Sequence, residues 1–160
     1  MLIRRATEND KGAIWSIIGP VIRPGETYAL AREMSEAEAL SYWMEPGSET
    51  FVAVEDRRII GTYYLRPNQV GGGDHVANCG YITDPVAGGQ GVGRRMCEHS
   101  LELARLRGFR AMQFNFVVST NEHAVNLWKS LGFDVVGRLP LAFRHPTLGY
   151  VDALVMFRAL

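Results

Sequence analysis

The sequence has little of what several protein classes require. Its two cysteines, Cys79 and Cys97, show no Cys-x-x-Cys spacing and no metal-ligand pattern, which argues against a disulfide-built scaffold and leaves no metal site to expect. No apolar run approaches the roughly 18 residues of a membrane span. The opening Met-Leu-Ile-Arg-Arg is too short in its apolar part for a secretory signal. Charge of one sign is also missing: Lys+Arg and Asp+Glu both count 17. Nucleic acid and anionic membranes, which select a positive surplus, are therefore not expected partners. No repeat, low-complexity stretch or linker interrupts the chain. What is left is 160 residues, 47% hydrophobic and 21% charged, read as one domain over 1–160 with enough apolar content for a core. Free cysteines without a leader point to a reducing, cytoplasmic setting.

Local signals give an order of elements. Leu2–Arg5 reads as a strand. Thr7 reads as the cap of a helix with Glu8 and Asp10 in its first turn, an apolar stripe of Ile14, Trp15, Ile17 and Ile18, and a stop at Gly19-Pro20. Ser35 with Glu38 forms a capping box for a second helix reaching about Met44. Phe51–Val54 and Ile59–Leu65 read as a hairpin around a polar turn, and Val76–Thr83 as the fourth strand. A helix then carries Met96, Cys97, Leu101, Leu103 and Ala104 on one face and ends at Gly108. Phe109–Val118 alternates, with Met112, Phe114, Phe116 and Val118 on one side and Gln113, Asn115 and Val117 on the other. Asn121 caps a short helix with Ala124, Val125, Trp128 and Leu131 inward, and Phe133–Gly137 and Tyr150–Arg158 close the chain as strands. The class is α+β (α/β in looser usage), with about seven strands, four helices and one β-α-β crossover.

The most informative stretch runs from Ile82 to Arg95, where a strand meets Ala87-Gly-Gly-Gln-Gly-Val-Gly93 and then a helix. A helix start exposes unpaired N–H groups, and glycines let backbone wrap closely around a phosphate. A P-loop would need Lys-Ser/Thr after the glycines, and none follows. A dinucleotide fingerprint would need a third glycine after Gly91-Val-Gly93, where Arg94-Arg95-Met96 stands instead. An unliganded turn remains the other reading of the loop taken alone.

Gly88-Gly-Gln-Gly-Val-Gly93 resembles the acyl-CoA pyrophosphate signature of GNAT acetyltransferases, Arg/Gln-x-x-Gly-x-Gly/Ala. Downstream, Asn121-Glu-His-Ala-Val-Asn-Leu-Trp-Lys-Ser-Leu-Gly-Phe133 resembles that family's Asn-x-x-Ala-x-x-Leu-Tyr-x-x-x-Gly-Phe. The resemblance implies a mostly antiparallel mixed sheet, splayed at its fourth and fifth strands, and acetyl-CoA as co-substrate without a metal. It also implies roles. Backbone N–H groups of Gly88, Gly89, Gln90, Gly91, Val92, Gly93 and Arg94 would hold the pyrophosphate. Main-chain groups of Tyr81, Ile82 and Thr83 would pair with the pantetheine arm, with the Ile82 N–H a candidate oxyanion donor. Asn121 and Trp128 would border the cofactor. Arg94 and Arg95 either reach phosphates or are solvated helix-surface arginines.

Three positions depart from the family pattern. Gly88 replaces Arg or Gln, Trp128 replaces a tyrosine often assigned as general acid, and Asn78 stands where relatives carry a glutamate base. A thiolate leaving group has a pKa of about 8.5 and needs little acid, whereas an amine of pKa about 10 costs about 4 kcal/mol to deprotonate at pH 7. The vacant base therefore matters more. His75, His145, Tyr150 and Asp152 are the candidates to supply it, each with a structural alternative. Asn78-Cys79 and Phe114–Asn121 also resemble segments of fungal acetyltransferases acting on the proline analogue azetidine-2-carboxylate, which implies catalytic or substrate roles for Asn78 and Asn115. The segment from Arg23 to Tyr28 would be a lid, with Thr27 and Tyr28 against the substrate. The expected reaction is acetyl transfer to a small-molecule amine in a detoxification role. Peptide N-terminal acetylation and a non-catalytic acyl-CoA sensor are the alternatives. A homodimer using the apolar final strand Val151–Leu160 is left open.

Overall fold

The computed structural model describes residues 1–160. β1 (Leu2–Arg5) is followed by α1 (Lys11–Ile22), α2 (Glu36–Trp43), β2 (Glu49–Glu55), β3 (Arg58–Pro67) and β4 (Val76–Thr83). Then come α3 (Val92–Leu106), β5 (Ala111–Val118), α4 (Glu122–Ser130), β6 (Asp134–His145) and β7 (Gly149–Ala159). The strands form one sheet in the order β1-β2-β3-β4-β5-β7-β6. Only β4 and β5 run parallel, as the intervening α3 crossover requires.

Side-chain alternation divides the core between the two faces of this sheet. On β3, Tyr63 joins Met96, Cys97 and Leu101 of α3 on one face, while its neighbour Tyr64 joins Ile14 and Ile18 of α1 and Trp43 of α2 on the other. Trp43 and Tyr63 are fully buried. Each keeps its polar atom paired, the indole N–H of Trp43 donating to Thr62 Oγ1 at 3.0 Å and Tyr63 Oη lying 2.6 Å from His99 Nδ1. Burying a large apolar side chain is worth about 1.5–3 kcal/mol, so such residues dominate the cohesion of both layers.

The expected elements are present, with three differences. The helix α1 does not stop at Gly19-Pro20 but continues to Ile22, because Ile14, Ile17, Ile18 and Ile22 form one stripe no more than 3% exposed. Packing of that stripe outweighs the backbone bond Pro20 cannot donate. Thr7 caps a short 3-10 turn ahead of α1, its N–H bonding Asp10 Oδ2 at 2.7 Å. Strand β6 runs well past Gly137, to His145, with Pro140 in the irregular stretch between Leu139 and Phe143. It can do so because it is a sheet edge, where a missing N–H is tolerated. The apolar final strand β7 is interior, paired with both β5 and β6.

In β5 the register against β7 shifts between Phe114 and Val117. This bulge resets the alternation, so Val117 rather than Phe116 returns to the core beside Phe114. No helix is long and apolar enough to cross a membrane.

Candidate active site

β4 and β5 pair at only two steps, Val76 with Ala111 and Ala77 with Met112. Immediately beyond, the Asn78 side chain reaches across, its Nδ2 donating to the Gln113 carbonyl at 2.9 Å. After that link the strands part. Tyr81 and Trp128 line the opening, their rings 5.1 Å apart, and Phe114 packs edge-on against both.

The ladder between β3 and β4 decides which main-chain groups face the opening. Asn68 N–H donates to Val76 O and Asp84 N–H to Ile60 O, and the register is unbroken from Gly61–Thr83 to Pro67–Ala77. Even-numbered β4 residues therefore turn their backbone groups to β3, and Cys79, Tyr81 and Thr83 turn theirs to the opening. This corrects one expectation: the Ile82 N–H is aimed at Thr62 of β3 and cannot serve an oxyanion, whereas the Tyr81 N–H can. Ile82 contributes its side chain to the core shared with α1 and α2. The Tyr81 carbonyl accepts from Tyr28 Oη at 3.0 Å, which fastens the Arg23–Tyr28 segment over the opening. That segment is shaped by Gly25, whose φ is +70°, and by the Arg32 Nε–H donating to Arg23 O at 2.8 Å.

One groove extends from the opening to the start of α3. Gly91 is the N-cap of that helix with φ 73° and ψ 14°, a left-handed conformation that a Cβ would strain. No side chain caps the helix, and its first backbone bond runs from Arg95 N–H to Gly91 O at 3.1 Å. The N–H groups before Arg95 are thus open at the positive end of the helix dipole, a site suited to phosphate. Gly88, Gly89, Gly91, Val92, Gly93 and Arg94 line this groove together with Tyr81, Ile82 and Thr83. Arg94 donates to Ser130 Oγ at 2.7 Å. Gln90 and Arg95 are exposed and lie outside the lining.

On the other side of the opening is a smaller cavity of about 220 Å³. Asn78 and Asn115 both line it, as do Thr27 and Tyr28. Asn78 is 7% exposed, and with its Nδ2 committed to Gln113 its Oδ1 is the free acceptor. Asn115 sits at the bulge, exposed, receiving Gln113 Nε2 at 2.9 Å and donating to Asn68 Oδ1 at 2.6 Å. Tyr28, Tyr81, Asn121 and Trp128 line both spaces, so the groove and the cavity meet at them. Asn121 also caps α4, its Oδ1 accepting from Ala124 N–H at 3.3 Å.

The four candidate bases are elsewhere. None of His75, His145, Tyr150 and Asp152 lines either space. Asp152 is held by Arg138 and by the Leu141 N–H at 2.9 Å, which pins the left-handed Leu141 of β6 and depresses the carboxyl pKa. His145 Nδ1 accepts the N–H groups of the tight turn at Thr147 and Leu148. Burial raises the pKa values of Tyr28, Tyr64, Cys79 and Tyr81 along the cavity, so none of these four is a base near neutrality.

Tyr42, Tyr64 and Arg66, not among the expected site residues, also line the cavity. The signal was available: Arg66 follows Tyr64 at the strand period, a charge continuing an inward face. The expected strand stops at Leu65, whereas β3 continues to Pro67.

An uncapped glycine-built helix start beside two parted strands defines a protein shaped to hold an extended ligand that carries phosphate. A family model described as the acetyltransferase (GNAT) family matches residues 19–133, and the chain belongs to that family of acyl-transferring enzymes. It is 29% identical over 153 residues to the N-acetyltransferase aca1 of Schizosaccharomyces pombe, covering 84% of this chain and 72% of the relative. A GCN5-related N-acetyltransferase from Kribbella flavida superposes with TM-score 0.95 at 44% identity, covering 99% of this chain and 97% of that one. The fold is shared too by yncA of Salmonella typhimurium, solved with its cofactor acetyl-CoA, at TM-score 0.87, 22% identity and 100% and 94% coverage.

Proposed function

We propose that residues 1–160 act as one acetyltransferase domain that moves the acetyl group of acetyl-CoA to the amine of a small molecule, an amino acid or proline analogue, by direct attack. The observation that carries this reading is the meeting of two unlike spaces where β4 and β5 part. One is a long groove ending at the open N-terminus of α3; the other is a cavity of about 220 Å³ under the Tyr28 lid. A space of that volume suits a small acceptor better than a peptide.

Acetyl-CoA supplies an activated acetyl group as a thioester. Gly89, Gly91 and Gly93 bind its pyrophosphate through backbone N–H groups, the Gly88 N–H being paired with the Pro85 carbonyl at 3.4 Å, and Asn121 and Trp128 border its arm. The Tyr81 N–H, directed into the opening, stabilises negative charge on the thioester oxygen as it develops. Asn78 Oδ1 accepts a hydrogen bond from the acceptor's amine and orients its lone pair, and Asn115 closes the cavity beside it. No carboxylate or imidazole lines the cavity, so the amine loses its proton to water. Trp128 cannot protonate the leaving thiolate, which at a pKa of about 8.5 departs without help.

Acetylation removes the basic amine, which fits the detoxification of an amino-acid analogue in the cytoplasm, where the free thiols Cys79 and Cys97 stay reduced. The edge strand β6 exposes Val135, Val136 and Leu141, which supports pairing with a second copy; light scattering of the purified chain reads this directly.

The test is thiol release from acetyl-CoA with azetidine-2-carboxylate, proline, other amino acids, a polyamine and short peptides. Turnover on a small amino acid, lost in Asn78→Ala, is expected. Turnover confined to peptides would replace this reading with N-terminal acetylation. Silence throughout, with acetyl-CoA still raising the melting temperature, would leave an acyl-CoA sensor.

A further inference from the structure

Among the 19 residues lining the acceptor cavity, Arg66 is the only one with a charged side chain. Its guanidinium lies over the Tyr64 ring at 4.4 Å and the Tyr42 ring at 5.1 Å. Nη2 donates to Tyr42 Oη at 3.2 Å and to Tyr64 Oη at 3.4 Å, and Nη1 pairs with Glu45. This leaves the Nε–H and one Nη1 hydrogen without a protein acceptor. The Arg66 side chain is 19% exposed, while that of Glu45 is 41% exposed and outside the cavity lining. The cation is therefore fixed by two aromatic faces, and its counter-ion is on the solvent side, where water can take its place.

Position matters as much as charge. In the β3–β4 ladder Arg66 stands directly opposite Asn78. Side chains at such a pair leave the sheet on the same face about 5 Å apart at Cβ. The group that receives the amine and the group that carries the positive charge thus rise side by side into one cavity. Resting on the reading of that cavity as the acceptor site, we infer that Arg66 binds the carboxylate of the acceptor. It selects amino acids, whose amine and carboxylate are one carbon apart, over amines that lack the acid group. Glu45 holds Arg66 until the acceptor's carboxylate displaces it. A lysine would keep the charge but not the planar fork whose Nη2 reaches both the Tyr42 and Tyr64 hydroxyls while the cation lies over the two rings.

The experiment pairs azetidine-2-carboxylate with azetidine and proline with pyrrolidine. Calorimetric binding is measured in the presence of CoA, and turnover with acetyl-CoA, for the unaltered chain, Arg66→Gln, Arg66→Lys and Glu45→Gln. The unaltered chain should favour the acid of each pair. Arg66→Gln should weaken binding and raise KM for the acids by about 10- to 100-fold, the worth of a charge-assisted contact, and leave the acid-free amines nearly unchanged. Arg66→Lys should recover part of the loss, and Glu45→Gln should tighten acid binding a few-fold. The KM for acetyl-CoA and the melting temperature identify any variant that simply fails to fold; for such a variant, Arg66→Lys and the acid preference of the unaltered chain decide. Equal losses for acid and amine, or no acid preference in the unaltered chain, would overturn the role of Arg66 while leaving acetyl transfer standing. Arg66-dependent binding of the acids without turnover would uphold it and remove the transferase reading. An absence of both binding and turnover would overturn both.

Discussion

If the acceptor cavity holds no base, the pH dependence of acetyl transfer must be that of the substrate's own amine. Burial pushes the pKa values of Tyr28, Tyr64, Cys79 and Tyr81 up, away from neutrality, and no histidine or carboxylate lines the cavity. A cyclic amino acid with an amine pKa of about 10 is about one part in a thousand neutral at pH 7, a cost of about 4 kcal/mol. Its neutral fraction grows about tenfold per pH unit, so kcat/KM should rise about 100-fold between pH 7 and pH 9 without a break. Initial rates of thiol release at subsaturating acceptor measure this, with the melting temperature followed over the same range. An acceptor with an amine pKa of about 8 should show the rise ending near pH 8, because the break belongs to the substrate. A break near pH 7 that stays in place for both acceptors would refute the argument, since it would report a titrating group of the enzyme.

Three further outcomes follow from the packing. Gly91→Ala forces a Cβ onto a residue at φ 73°, at a cost of about 1–2 kcal/mol, and should raise the KM for acetyl-CoA more than that for the acceptor. A Cβ at Gly80 would lie 2.6 Å from Tyr64 Cε1, so Gly80→Ala should displace the ring under Arg66, destabilise the fold by about 1–3 kcal/mol and weaken acceptor binding in titrations. Asp10 accepts from Arg4 at 2.8 and 2.9 Å and from Thr7 N–H at 2.7 Å, which hold its carboxyl far below the usual range. Its contribution is complete above about pH 4 and is lost as the pH falls toward the depressed folded value. Asp10→Asn should therefore cost about 2 kcal/mol in urea unfolding at pH 7 and flatten the acid limb of stability.

Local chemistry was legible in the chain itself. Ser35 with Glu38, Asn121 before α4 and the glycines before α3 mark helix starts by groups that act within a few residues, so the sequence carried them. The strand periods of β3 and β4 were legible for the same reason, and so was the glycine turn that opens α3. The continuation of α1 past Pro20 is not legible locally, because the cost of proline is opposed by the stripe of Ile14, Ile18 and Ile22, which gains its energy only against α2 and the sheet. The bulge in β5 and the length of β6 depend on pairing with β7, which is distant in sequence. The site divides in the same way. The sequence by itself determined a glycine-rich helix start and two asparagines on neighbouring strands. Only the tertiary structure decided that the backbone groups of Tyr81, not those of Ile82, face the opening, that Asp152 pins the irregular stretch of β6 and His145 the turn after it, and that Arg66 stands beside Asn78. Register and strand pairing set those relations, and pairing energy comes from residues far apart along the chain.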